Sequence, residues 1–206
     1  MKTPKKVIQD TAPNARPNSR GAQRRSLIFD SLHDCINRQG FVKTTLADIA
    51  NGANMSPSHL LYYFKGKEVI LEQYFEHIST EFITELVSFS EETLEQRIEL
   101  LANFWFRDDG AILSDAGFMF ECFGAAVNDD ALHRTKTVFD LQCKKFLADL
   151  FAEAPSPFLN NSKDTAEISY SLMMGLRAAV YFDKDLSISD AHRLFRTSLI
   201  KMSGLD

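Results

Sequence analysis

Residues 40–67 read GFVKTTLADIANGANMSPSHLLYYFKGK, two short helical signals around a tight turn, followed by aromatic residues and lysines. Thr45 stands three residues before Asp48, so its hydroxyl can cap the amide at 48 while the carboxylate favours the positive helix N-terminus. Asp is a shorter partner than Glu for the reciprocal bond of a capping box. Leu46, Ile49, Ala50 and Ala53 then fall on one face of a 3.6-residue helix. Asn54 enters the left-handed region at low cost, which allows a sharp turn over 53–56. Ser56 can cap a second helix with Pro57 in its first position, running to about Phe64.

On this second helix Leu60 and Phe64 face inward with Met55, leaving Ser58, His59, Tyr62 and Tyr63 on or near the other side. Short or planar polar groups of this kind reach base edges and phosphates in a major groove. A helix hairpin with no nucleic-acid partner would more commonly show Glu and Lys on its solvent face.

The segment resembles the N-terminal part of the tetracycline-repressor (TetR) family of bacterial transcription regulators. The resemblance rests on Gly40, on the run Thr44-Thr45-x-x-Asp48-Ile49-Ala50, on Ala53-x-Met55-Ser56-Pro57, and on Tyr63-Phe64-Lys65-x-Lys67-Glu68. The turn departs from the family pattern at Asn54, where glycine is common, and the second helix departs at Ser58-His59. Leu61 stands where a phosphate-contacting tyrosine is frequent, so the resemblance passes that role to Tyr62 or Tyr63. It implies DNA contacts from Thr44, Thr45, Ser56, Pro57, Ser58, His59, Tyr62, Tyr63, Lys65 and Lys67, with Arg20 and Arg24 close to the DNA backbone.

Charge divides the chain in the same place. Residues 1–67 hold eleven Lys and Arg against four acidic residues, and residues 68–206 hold twelve against twenty-four. A basic head can displace counterions from phosphates and an acidic body cannot. A solvated basic tail on an ordinary domain is the alternative. Residues 1–19, with Pro4, Pro13 and Pro17 among Lys2, Lys5, Lys6 and Arg16, are expected to form a flexible basic arm. No secretory h-region and no apolar run long enough to span a bilayer occurs, so a cytoplasmic protein with no membrane partner is expected.

The rest reads as helix. A first helix from about Arg20 to Gln39 buries Ile28, Leu32, Cys35 and Ile36 and completes a three-helix head over 20–66, with the helix-turn-helix at about 45–64. From Lys67, the series Leu71, Phe75, Ile78, Phe82, Leu86 and Phe89 predicts one long amphipathic helix, either a transmitter of angle or a passive strut. Further helices are expected near 92–107, 111–127, 130–154, 163–182 and 189–202, separated by breaks at 108–110, 128–130, 155–157 and 183–185. The fold class is therefore all-α: a three-helix head joined by a long helix to a helical body over 67–206, for which the resemblance implies effector binding and dimerisation.

In the body, Phe104, Trp105, Phe118, Cys122 and Phe123, with His133 as a polar anchor, are candidate ligand contacts, and Arg107, Glu121 and Gln142 lie near them in sequence. A solid aromatic core would look the same, and the cavity is implied by the resemblance. The aromatic content points to an apolar or aromatic effector. Leu172, Gly175, Leu176, Ala179, Leu194, Phe195, Ser198, Leu199 and Met202 are candidate dimer contacts, since similar proteins pair this region as a four-helix bundle. In a monomer the same faces would close the core.

Cys35, Cys122 and Cys143 are widely separated and form no disulfide or zinc pattern, so buried thiols are expected, with a redox sensor as the alternative. No nucleophile elbow, phosphate loop or H-E-x-x-H is present, and the histidines lack ligand spacing, so neither an enzyme, a metal site nor a cofactor is expected. The reading is a sequence-specific regulator, which the resemblance makes a repressor released by a small-molecule effector, acting as a homodimer on a palindromic double-stranded operator with half-sites about one helical turn apart, or somewhat farther where two dimers share the operator. A helical scaffold without DNA specificity, or an enzyme assembled from distant residues, is the alternative.

Overall fold

The long chain of local stop and start signals is realised as nine α-helices and one short 3-10 turn among the described residues, with no strand. A computed structural model describes residues 20–106, 111–155, 158–159, 161–183 and 185–205, with backbone alone at 111–115. The expected arm, Arg107 and the break at 108–110 lie outside the described residues.

The head consists of α1 (Arg20–Gln39), α2 (Leu46–Gly52) and α3 (Pro57–Tyr63). Both ends of the helix-turn-helix are fixed by side chains. Thr45 accepts the Asp48 amide at 3.1 Å and its own amide donates to the Asp48 carboxylate at 2.9 Å, so the capping box closes even with the shorter Asp. Asn54 takes the left-handed conformation at φ 53, and Ser56 accepts the His59 amide at 3.2 Å with Pro57 opening α3. Ile28, Leu32, Ile36, Ile49, Ala50, Ala53, Leu60 and Phe64 are enclosed together.

The long helix α4 (Lys67–Ser88) is 22 residues, roughly 33 Å at 1.5 Å per residue. Phe89 is not part of it and begins the 3-10 turn Phe89–Glu91. The apolar series of α4 serves two cores in succession. Ile70, Leu71 and Phe75 close the head, and Leu86 enters the body. Ile78 and Phe82 between them are only partly buried, because that stretch borders a cavity.

The body adds α5 (Leu94–Trp105), α6 (Ala111–Ala126), α7 (Asp130–Ala152), α8 (Ser162–Phe182) and α9 (Ile188–Ser203). Their starts are set by Thr93 with Gln96 in a second capping box, and by Asp129, Asn161 and Ser187. Gly204 closes α9 in the left-handed conformation at φ 67. The body core gathers Leu101, Trp105, Phe139, Leu147, Leu150, Phe151, Met173 and Phe195. Helix α6 does not belong to the body alone. Phe118, Cys122 and Ala126 pack into the core of the head, so residue 67 marks the start of α4 and not the edge of a hydrophobic core.

Candidate nucleic-acid interface and effector cavity

Helix α3 presents Ser58, His59 and Tyr62 to solvent while Leu60 is fully buried, and Tyr62 is 83% exposed. Tyr63 is half-buried, with its ring 5.5 Å from His59 and 5.4 Å from Tyr62. Thr45, Ser56, Pro57, Lys65, Arg20 and Arg24 are exposed on the same head, and Leu61 is also exposed. Lys43, exposed in the loop before α2, was not singled out from the sequence although a loop lysine flanking the motif is a readable signal.

Two of the expected DNA contacts have structural work instead. Thr44 is 1% exposed and its hydroxyl donates to the Gly40 carbonyl at 2.8 Å, so its side chain is no direct DNA contact. Lys67 donates to the carbonyls of Phe41, Val42 and Thr44 at 3.1, 3.3 and 2.9 Å and lies over the Phe41 ring. Its charge is spent on the loop between α1 and α2. Arg25 behaves similarly, bonding Gln73 at 2.7 Å and covering the Phe64 ring, which leaves Arg20 and Arg24 as the outward cations at the start of α1.

Behind the head lies a cavity of about 320 Å³ bounded by α1, α4, α5, α6, α7 and α8. Phe104, Trp105, Phe118 and Phe123 of the expected ligand set line it, joined by Phe82, Phe139, Met119 and Met174. Two expected members do not. Cys122 points from α6 into the core of the head, and His133 is exposed on α7. Gln142 is also exposed, and Glu121 faces the head. The polar wall comes from residues distant in sequence: His33, Tyr74, Ser79, Glu81, Glu85 and Arg177. His33 Nδ1 and the Tyr74 hydroxyl are 3.1 Å apart, and the His33 ring stacks on Phe118 at 4.9 Å. Arg177 donates to the Trp105 carbonyl at 2.9 Å.

The expected dimer face is partly internal. Phe195 and Leu199 are fully buried in the core of their own chain, and Met202 turns inward to meet the Ser169 hydroxyl. Leu172 and Leu176 pack partly against that core. Gly175 and Leu194 are exposed and Ala179 and Ser198 half-buried. The division follows from α9 having one face on the core and one away from it.

All three cysteines are buried. Burial pushes the Cys122 and Cys143 thiols well above their ordinary pKa, with Glu121 and Asp140 adding to the effect, so thiolate chemistry is suppressed at both. Among the described residues no group of three or more His, Cys, Asp and Glu gathers as a metal site, and no helix is long and apolar enough to cross a membrane.

A capped helix-turn-helix on a head that shares its core with a cavity-bearing helical body is the construction of a DNA-binding transcriptional regulator. Residues 28–74, from the middle of α1 through α2 and α3 to Tyr74 of α4, match the family described as bacterial regulatory proteins, tetR family. No curated protein matches it in sequence. Among solved structures, a TetR transcription regulator from Haloarcula marismortui is 13% identical, with a TM-score of 0.76 over 89% of this chain and 97% of that one. The fatty acid degradation regulator FadR from Bacillus halodurans is 16% identical, with a TM-score of 0.70 over 85% and 94%. A protein from Saccharomonospora viridis described as a transcriptional regulator, in complex with choline, is 13% identical, with a TM-score of 0.77 over 87% and 96%. At these identities the likeness is one of fold.

Proposed function

We propose that the chain is a cytoplasmic transcriptional repressor that binds a palindromic operator as a homodimer and is released by a small molecule held in the body cavity. The observation that carries this reading is the position of His33. It lies on α1, the helix that supports α2 and α3, yet it borders the cavity and meets Tyr74 of α4 there. A molecule in the cavity therefore touches the head directly. If it favours one setting of α1 against α4, it must change DNA affinity by that same differential free energy.

Ser58, His59 and Tyr62 would read base edges, while Lys65, Arg20 and Arg24 would set the head on phosphates. A helix of seven residues reads few base pairs, and two heads on one site multiply discrimination. The outward faces of α8 and α9, with Gly175, Ala179, Leu194 and Ser198, would form the dimer contact. The test is selection of genomic fragments bound by the purified chain, followed by mobility shift and sedimentation. Enrichment of one palindromic sequence by a dimer supports the proposal. A scaffold would enrich none, and a 23.3 kDa monomer at micromolar concentration would contradict the dimer.

A further inference from the structure

Helix α4 carries three hydroxyl residues close together, and they behave differently. Thr80 and Thr84 each donate back to the carbonyl four residues earlier at 2.8 Å, the usual resource of a hydroxyl in a helix. Ser79 does neither this nor anything else: it is 8% exposed, borders the cavity, and its hydroxyl meets no protein partner. A buried hydroxyl without a partner costs about 1–3 kcal/mol, so its place on the inward face of α4, otherwise made by Phe75, Phe82 and Leu86, calls for a ligand group. The neighbouring walls are flat and apolar. Phe82 has Phe104, Trp105 and Phe139 around it at 4.4, 4.5 and 5.2 Å, and Phe118 stands beyond with Tyr74 at 5.2 Å.

The lining carries no single dominant sign of charge: Glu81 and Glu85 stand at the exposed edge and the Arg177 guanidinium is bound to the Trp105 carbonyl, while the walls around Ser79 are aromatic. We infer that the cavity takes an uncharged aromatic or apolar molecule bearing one hydroxyl or carbonyl group, and that this group bonds the Ser79 hydroxyl. The inference rests on the reading of the cavity as the effector site and narrows its chemistry.

The full chain is titrated calorimetrically with four probes that share one ring system: naphthalene, 2-naphthol, 2-naphthoate and 2-naphthyltrimethylammonium. The neutral alcohol is expected to bind about tenfold more tightly than the hydrocarbon and than either ion. In Ser79→Ala, naphthalene affinity should be kept and 2-naphthol should fall to within about twofold of it. Either ion matching the alcohol, an alcohol advantage that survives Ser79→Ala, or no binding of any probe would overturn the inference. A second measurement needs no ligand. Because the hydroxyl lacks a protein partner, Ser79→Ala should melt at the same temperature or higher, and a lower melting temperature would show that the hydroxyl is satisfied and overturn the assignment. Fragment selection is independent of both: an enriched operator with failed probes sinks the ligand class alone, whereas failed selection sinks the regulator reading.

Discussion

The carboxylate of Glu121 on α6 accepts the backbone N–H of Phe41 at 3.0 Å, a bond between residues 80 positions apart. It is possible because Gly40 adopts φ +79 and passes so close that a Cβ there would sit 3.3 Å from the same carboxylate. From the other side Lys67 of α4 holds the carbonyls of the loop. The loop that delivers α2 is thus fixed between α6 and α4, and those two helices also line the cavity through Phe118, Met119, Ile78 and Phe82.

Glu121→Ala should release this loop. A hydrogen bond to a charged group contributes about 1.5–3 kcal/mol, and Glu121 is half-buried, so a loss near 1–2 kcal/mol is expected. Amide exchange at Phe41 is the direct readout and should accelerate by about tenfold or more. Unchanged exchange would mean the carboxylate does not hold the loop. In a ligand-responsive protein the same variant should also show a smaller effect of the ligand on operator affinity.

Lys65 and Lys67 separate DNA contact from loop support. Lys67→Ala removes three carbonyl bonds and is expected to cost about 2 kcal/mol in denaturant unfolding. Lys65 is exposed, so Lys65→Ala should leave stability within about 0.5 kcal/mol and lower the slope of log affinity against log salt by about two, one phosphate contact from each head of the proposed dimer. Reversed outcomes would return Lys67 to the DNA surface.

The head was legible because its signals are local. Thr45 and Asp48 are three residues apart, Ser56 abuts Pro57, and Asn54 needs no distant partner to turn the chain. The cavity was half legible. Phe104, Trp105, Phe118 and Phe123 declare themselves as clustered aromatics, but His33, Tyr74, Ser79 and Arg177 come from α1, α4 and α8 and meet only in three dimensions. Cys122 and His133 were misplaced because nearness in sequence says nothing about which face of α6 or α7 a residue takes. Ser79 did offer a signal: a hydroxyl lies between Ile78 and Phe82 on a face that is otherwise apolar. The inward turn of Phe195 and Leu199 was hidden because a core face and a partner face have the same spacing.

The three thiols should be inert in the native chain. Burial of Cys35, Cys122 and Cys143, with the Cys122 and Cys143 thiols raised well above their ordinary range, predicts negligible labelling by a thiol reagent at pH 8 and complete labelling in denaturant. Rapid modification of one native cysteine would revive the redox alternative.

Arg97 is 6% exposed in α5 and donates to Glu153 at the end of α7, one bond at 3.2 Å and a second to the other carboxylate oxygen. The Arg97 hydrogen bond holds the Glu153 carboxyl below the ordinary glutamate value. A lowered folded pKa stabilises above the unfolded value, about 4.3, and that contribution disappears as pH falls through the folded one. Glu153 is 59% exposed, so solvent screening limits the effect to about 1 kcal/mol. Glu153→Gln should lower stability at pH 7 and flatten its decline between about pH 5 and 3. An unaltered decline would place acid sensitivity elsewhere.

Tyr62 and His59 test the recognition surface with the fewest side effects. Both side chains point to solvent, and neither enters the core of the head, so Tyr62→Ala and His59→Ala should melt within a few degrees of the parent. Removing a base-edge or phosphate interaction from one head costs about 1–3 kcal/mol, and in a two-headed reader the substitution acts at both heads. Specific operator binding should therefore weaken by about tenfold or more for each variant, measured by mobility shift at fixed salt. Binding to unrelated DNA should change far less for a base contact and about equally for a phosphate contact, which assigns the role of each residue. Unchanged specific binding in both variants would remove α3 from the DNA interface and leave the exposed groups of α1 and Lys43 as the remaining candidates.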